Sequence, residues 1–87
     1  MRRDELLAAA TDIIMSTRQE DYGTPQKNFA QIAAGWSIIL GCTVQPYEVA
    51  LCMDWVKTAR LINNPTHTDS WVDKAGYTGI GAELVGE

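Results

Sequence analysis

Lys57 and Arg60 stand three residues apart in the segment KTARLINNPTHTDSWVDKAGY, residues 57–77. On a helix that spacing puts them at adjacent positions of one face. Arginine offers a planar fork that matches phosphate or carboxylate, and lysine a mobile point charge. Together they suit a phosphate or pyrophosphate. The plain alternative is that each pairs with an aspartate or is simply solvated, as long side chains on helix surfaces often are. Asp69 and Asp73 follow, four apart and again on one face. Two such carboxylates can hold Mg²⁺ when waters and substrate phosphates complete the shell. They can also accept from ribose hydroxyls or hold Arg60 in place. A capping role suits Asp69, and a partnership with Lys57 or Arg60 suits Asp73. His67, the single histidine, reads first as a loop residue just before a helix. Tyr77, one turn beyond Asp73, can stack on a base or belong to the core with its hydroxyl at the edge.

A second group lies in RQEDYGTPQKNF, residues 18–29. Arg18, Asp21 and Tyr22 flank a turn between two helices, and Asn28 falls on the first turn of the second. The start of that helix presents free backbone N–H groups, which suit an anion. Arg18 thus joins Lys57 and Arg60 as a phosphate candidate. The candidate ligand contacts are Asp21, Tyr22, Asn28, Trp36, His67, Asp69, Asp73 and Tyr77. A local alternative needs no ligand: Asp21, Gly23, Thr24 and Pro25 build a turn and a cap. No nucleophile–base pair stands out, and neither a G-x-S-x-G elbow nor a P-loop is present. The glycines of AGYTGIG are not a dinucleotide fingerprint, because no strand precedes them.

These residues need a scaffold, and the periodicity supplies an all-α one: a small bundle of about four helices forming a single domain over residues 1–87. Helix 1 is expected over 4–19, with Asp4 and Glu5 at its dipole-favoured start. Helix 2 starts at the Thr24 cap and Pro25, buries Phe29, Ile32, Ala33, Trp36, Ile39 and Leu40, and stops at Gly41. Helix 3 runs from Pro46 to about Ile62, ended by Asn63-Asn64-Pro65. Helix 4 starts at a cap on Asp69 or Ser70 and reaches the low 80s. Gly76, Gly79 and Gly81 weaken it by propensity, but they allow a neighbouring backbone to approach closely.

The net charge of −4 disfavours a broad phosphate-backbone surface, so extended nucleic acid is not an expected partner. A local anion pocket needs only two or three positive groups. Cys42 and Cys52 form neither a CxxC pair nor a metal cluster with His67, and read as reduced, partly buried thiols. No signal peptide or membrane-spanning run is visible, so a cytoplasmic protein without a membrane partner is expected. A small core, three tryptophans and a Gly-rich last helix imply that another copy covers some apolar surface. A homo-oligomer, dimer or higher, is expected.

The motifs read in order as R-x-x-D-Y-G-x-P-x-x-N-F-x-x-I-A-x-x-W (Arg18 to Trp36), M-x-x-x-K-x-A-R (Met53 to Arg60) and H-x-D-S-x-x-D-x-A-G-Y (His67 to Tyr77). This order resembles a group of small, uncharacterised α-helical proteins of phages and prophages. More distantly it is similar to the MazG-like nucleotide pyrophosphohydrolases, in which acidic pairs on two facing helices bind Mg²⁺. The sequence departs from that pattern. Glu48 and Asp54 are six apart on different faces, and Asp69 and Asp73 do not make E-x-x-D. A carboxylate cage is therefore not carried over, and no catalytic residue or cofactor is assigned. The resemblance implies a phosphate-bearing nucleotide as ligand, held by Lys57, Arg60, Asp73 and Tyr77 with the DYG turn. Small phage proteins that sequester cyclic nucleotides or ADP-ribose-derived immune signals offer the closest functional analogy. One alternative is a Mg²⁺-dependent pyrophosphohydrolase using Asp54, Asp69 and Asp73. Another is a structural helical module whose charges only fix packing.

Overall fold

The computed structural model describes residues 1–17 and 23–86, with the backbone alone at 16 and 17. Four α-helices account for most of it: α1 (Arg3–Asp12), α2 (Pro25–Leu40), α3 (Pro46–Asn63) and α4 (Thr68–Gly86). No strand occurs among the described residues. Helix α1 is shorter than its apolar spacing suggests. After Asp12 the backbone widens into a π-helical turn, Ile13–Thr17. Such turns are rare, and they are frequent at functional sites.

The ends of the helices follow local chemistry. The Thr24 hydroxyl accepts from the Lys27 N–H at 3.3 Å, and Pro25 occupies the first turn. Gly41 ends α2 with φ near +70°, where a side chain would be strained. The Ser37 hydroxyl ties the next loop down: it donates to the Ala33 carbonyl and accepts from the Val44 N–H. At the start of α3 the Glu48 carboxylate accepts from the Gln45 N–H at 2.8 Å. Glu48 is thus engaged at a helix end. At the α3–α4 turn the Trp71 indole donates to the Pro65 carbonyl.

Helix α4 begins at Thr68, two or three residues earlier than a cap on Asp69 or Ser70 requires. The Ser70 N–H reaches the His67 carbonyl at 3.1 Å, and the Ser70 hydroxyl lies 2.7 Å from the His67 Nδ1. Ser70 is fully buried, so His67 satisfies a hydroxyl that water does not reach. Asp69 stands inside the first turn, where its charge meets the positive end of the helix dipole.

The core joins Phe29 and Ala33 of α2, Val49 and Ala50 of α3 and Ile80 of α4. Ile32, Trp36, Met53 and Tyr77 pack around it. Helix α4 is the common element, since it touches α1, the π turn, α2 and α3. Burial departs from the periodicity in several places. Ile39 and Leu40 are mostly exposed, together with Ile38, because the last turn of α2 runs past the core. Leu51 and Trp55 are exposed as well, and so are both cysteines.

The glycines of α4 have separate duties. A Cβ on Gly81 would come within 3.2 Å of the Ala50 Cβ, so α3 and α4 approach closely there. A Cβ on Gly79 would meet only the tip of Ile14 at an ordinary 3.5 Å. Gly79→Ala therefore gains helix propensity without a clash, stabilising the chain by about 1 kcal/mol. Gly81→Val forces the helices apart and costs about 2 kcal/mol or more. Urea denaturation of the two variants checks the opposite signs.

Candidate functional site

Helices α3 and α4 lie antiparallel, so KTAR and DSWVDKAGY face each other across the NNPTHT turn. The Lys57 ammonium reaches the Asp73 carboxylate at 3.2 Å. Both side chains are largely buried, with 14% and 18% of their surface exposed. A second pair of opposite polarity lies beside it. Lys74 of α4 pairs with Asp54 of α3 and also donates to the Thr58 hydroxyl at 2.8 Å. The Thr78 hydroxyl lies 3.1 Å from the other Asp54 oxygen. Sequence reasoning found the first pair and missed the second. Asp54 and Lys74 are 20 residues apart, so only the helix register brings them together.

The remaining candidates separate into groups. Arg60 is exposed in the last turn of α3, and its guanidinium makes no ion pair among the described residues. By helical register it shares the Lys57 side of α3, as Asp69 shares the Asp73 side of α4. Lys57, Arg60, Asp69 and Asp73 thus define one polar edge of the two-helix layer. Tyr77 follows Asp73 by one turn and turns inward, with its ring centroid 6.3 Å from that of Phe29. Trp36 packs against the core. His67 is engaged with Ser70 at the start of α4, and Asn28 stands half-buried in the first turn of α2. Arg18, Asp21 and Tyr22 lie outside the described residues.

Asp73, Gly76 and Tyr77 also line a small cavity closed by Ile13 and Ile14 of the π turn. Its volume of about 20 Å³ suits one water molecule rather than a nucleobase. The carboxylates do not form a cation cage. No group of three or more His, Cys, Asp or Glu side chains converges among the described residues. Asp54 and Asp73 each face a lysine, and Glu48 serves a helix end. This donor set does not fit the acidic pairs of a Mg²⁺-dependent pyrophosphohydrolase. No helix among the described residues is long and apolar enough to cross a membrane.

Two mycobacteriophage proteins are similar to this chain. The Gene 55 protein of Mycobacterium phage L5 is 38% identical over 76 residues, which cover 86% of this chain and 49% of the relative. The Gene 55 protein of Mycobacterium phage D29 is 36% identical over 76 residues, covering 87% and 50%. The chain therefore spans about half the length of these relatives. No solved structure matches it. The model of a family described as a domain of unknown function, DUF6378, matches residues 5–85, and the chain belongs to this family, with relatives among phage proteins.

Proposed function

We propose that the chain is a phage protein that binds and sequesters a phosphate-bearing nucleotide, cyclic or ADP-ribose-derived, and does not turn it over. In a phage-infected cell such binding removes an immune signal from the cytoplasm. The observation that carries the reading is the polar edge of α3 and α4. There a largely buried Lys57 stands one turn from Arg60, whose guanidinium has no ion pair among the described residues. Arg60 supplies a free fork for phosphate and Lys57 a second charge. In this reading Asp73, beside Lys57, accepts from ribose hydroxyls, and Tyr77, packed toward Phe29, borders the site. A largely buried ion pair is weak as a stabilising device, because desolvation offsets its attraction. That leaves room for a role in recognition. The pairing of Asp54 and Asp73 with lysines favours binding over metal-assisted hydrolysis.

Incubation with a panel of nucleotides and cyclic nucleotides, followed by heat denaturation, tests this. The expected result is one ligand depleted from solution and returned intact on heating. Arg60 is exposed, so Arg60→Ala should keep the fold and weaken that binding about tenfold or more. A cleaved product would convert the reading to an enzyme. Absence of depletion for every nucleotide would end it.

A second reading is favoured by the two reversed ion pairs: the charges fix the register of α3 against α4. Lys74→Met leaves Asp54 partly buried without its ammonium partner and should cost about 1–3 kcal/mol. The double change Asp54→Leu and Lys74→Met should recover most of that loss. Chemical denaturation measures both. A single change costing less than about 0.5 kcal/mol would mean that the pair does not hold the register.

A further inference from the structure

The side of the α3–α4 layer that carries Asp54 and Lys74 is apolar at both ends. Tyr47, Leu51, Trp55 and Ile62 recur along α3 at spacings of four, four and seven, which is one helical stripe. Trp71 and Val85 lie fourteen apart on α4, again in register on one face. The stripes adjoin, because a groove of about 310 Å³ runs between Tyr47 and Leu51 on one helix and Ala82 and Val85 on the other. Leu51 is 60% exposed, Trp55 68%, Ile62 73% and Val85 64%. With Tyr47 and Trp71 at 37% and 42%, the six expose on the order of 700 Å². The largest patch on a typical monomer is roughly 300–600 Å². A stable interface buries about 800 Å² on each partner.

We infer that this face is the interface of a symmetric dimer, in which a second copy of the chain lays its own α3–α4 face on the first. Three observations select a second copy. The apolar area of one face is about the share that a dimer requires of each partner. The ionised groups at its centre, Asp54 and Lys74, are paired with each other, and Glu48, seven residues before Trp55 at the margin of the stripe, is engaged with the Gln45 N–H. The acids of α4 outside the stripe, Asp69 and Glu83, lie at other register positions. The polar centre also enters a dry interface satisfied, since Asp54, Lys74, Thr58 and Thr78 hydrogen-bond one another. A lipid surface fits poorly. Its basic neighbour Arg3, which lines a pocket with Trp71, touches one end of the stripe alone, and the chain carries a net charge of −4. Two such layers packed by a two-fold axis form a four-helix arrangement with an isologous interface. The interface lies on the opposite side of the layer from Lys57 and Arg60, so the inference is independent of the nucleotide reading.

Sedimentation equilibrium at about 50 μM decides it. The chain should sediment at twice 9.6 kDa. Leu51→Glu and Trp55→Glu each place a charge on the face and should return the mass to 9.6 kDa with helical circular dichroism intact. Both side chains are exposed, so neither change removes a core contact, and if one variant lost helix the other would decide. Ile39→Glu, at an exposed position of α2, should leave the dimer unchanged. A single-chain mass for the unaltered protein would overturn the inference. So would a dimer that survives Trp55→Glu, or one that Ile39→Glu dissolves.

Discussion

The close antiparallel approach of α3 and α4 is the constraint on which the rest of this structure depends. It is made at Gly81, where the Ala50 methyl occupies the space a side chain would need. With the backbones this near, side chains on the flanks of one helix reach the flanks of the other. Lys57 finds Asp73 and Lys74 finds Asp54 for this reason. The same approach places α4 where it touches every other element. Helix α4 is poor by propensity, since Gly76, Gly79 and Gly81 each disfavour an isolated helix. Tertiary packing supplies its stability instead, as it does for most helices in globular proteins.

The two ion pairs add direction to that approach. Each helix contributes one acid and one base, so the four paired charges cancel and their polarity reverses between the pairs. Sliding α3 by one turn, about 5.4 Å, would separate both pairs and strand their charges in partly buried positions. Attraction between such groups contributes little net stability, but the cost of misplacing them is large. On the structural reading the charges act chiefly against wrong registers. The apolar core alone, built on Val49, Ala50 and Ile80, would penalise such a slip less selectively.

Local chemistry made part of this architecture legible. Thr24-Pro25, Gly41 and Asn63-Asn64-Pro65 mark helix ends because their effects are confined to a few bonds. The facing of KTAR and DSWVDKAGY follows from the short turn between them. What periodicity leaves open is which of several apolar residues a small core can cover. Ile39 and Leu40 repeat at helical spacing, yet the bundle ends before it reaches them. Leu51 and Trp55 form a regular stripe that faces away from the core of their own chain. The Asp54–Lys74 pair is a consequence of register, which no single helix encodes. The start of α4 is tied by one hydrogen bond, between Ser70 and His67, that neither residue type announces. The π turn after Asp12 is likewise invisible in a pattern that continues as an ordinary helix.

Seam and site are compatible uses of the same side chains. Lys57 is held beside Asp73 by packing, so its position costs nothing further when a ligand arrives. An incoming phosphate would exchange one anionic neighbour for another or share the ammonium with it, and charge would stay balanced in either case. Arg60 differs, because the fold asks little of it beyond compensating the end of its helix. A residue that the fold scarcely uses, one turn from one that the fold fixes, is an economical way to build recognition on a small bundle. Under the binding reading, the rigid member would set position, and the free member would supply the charge that the bundle itself has not already neutralised.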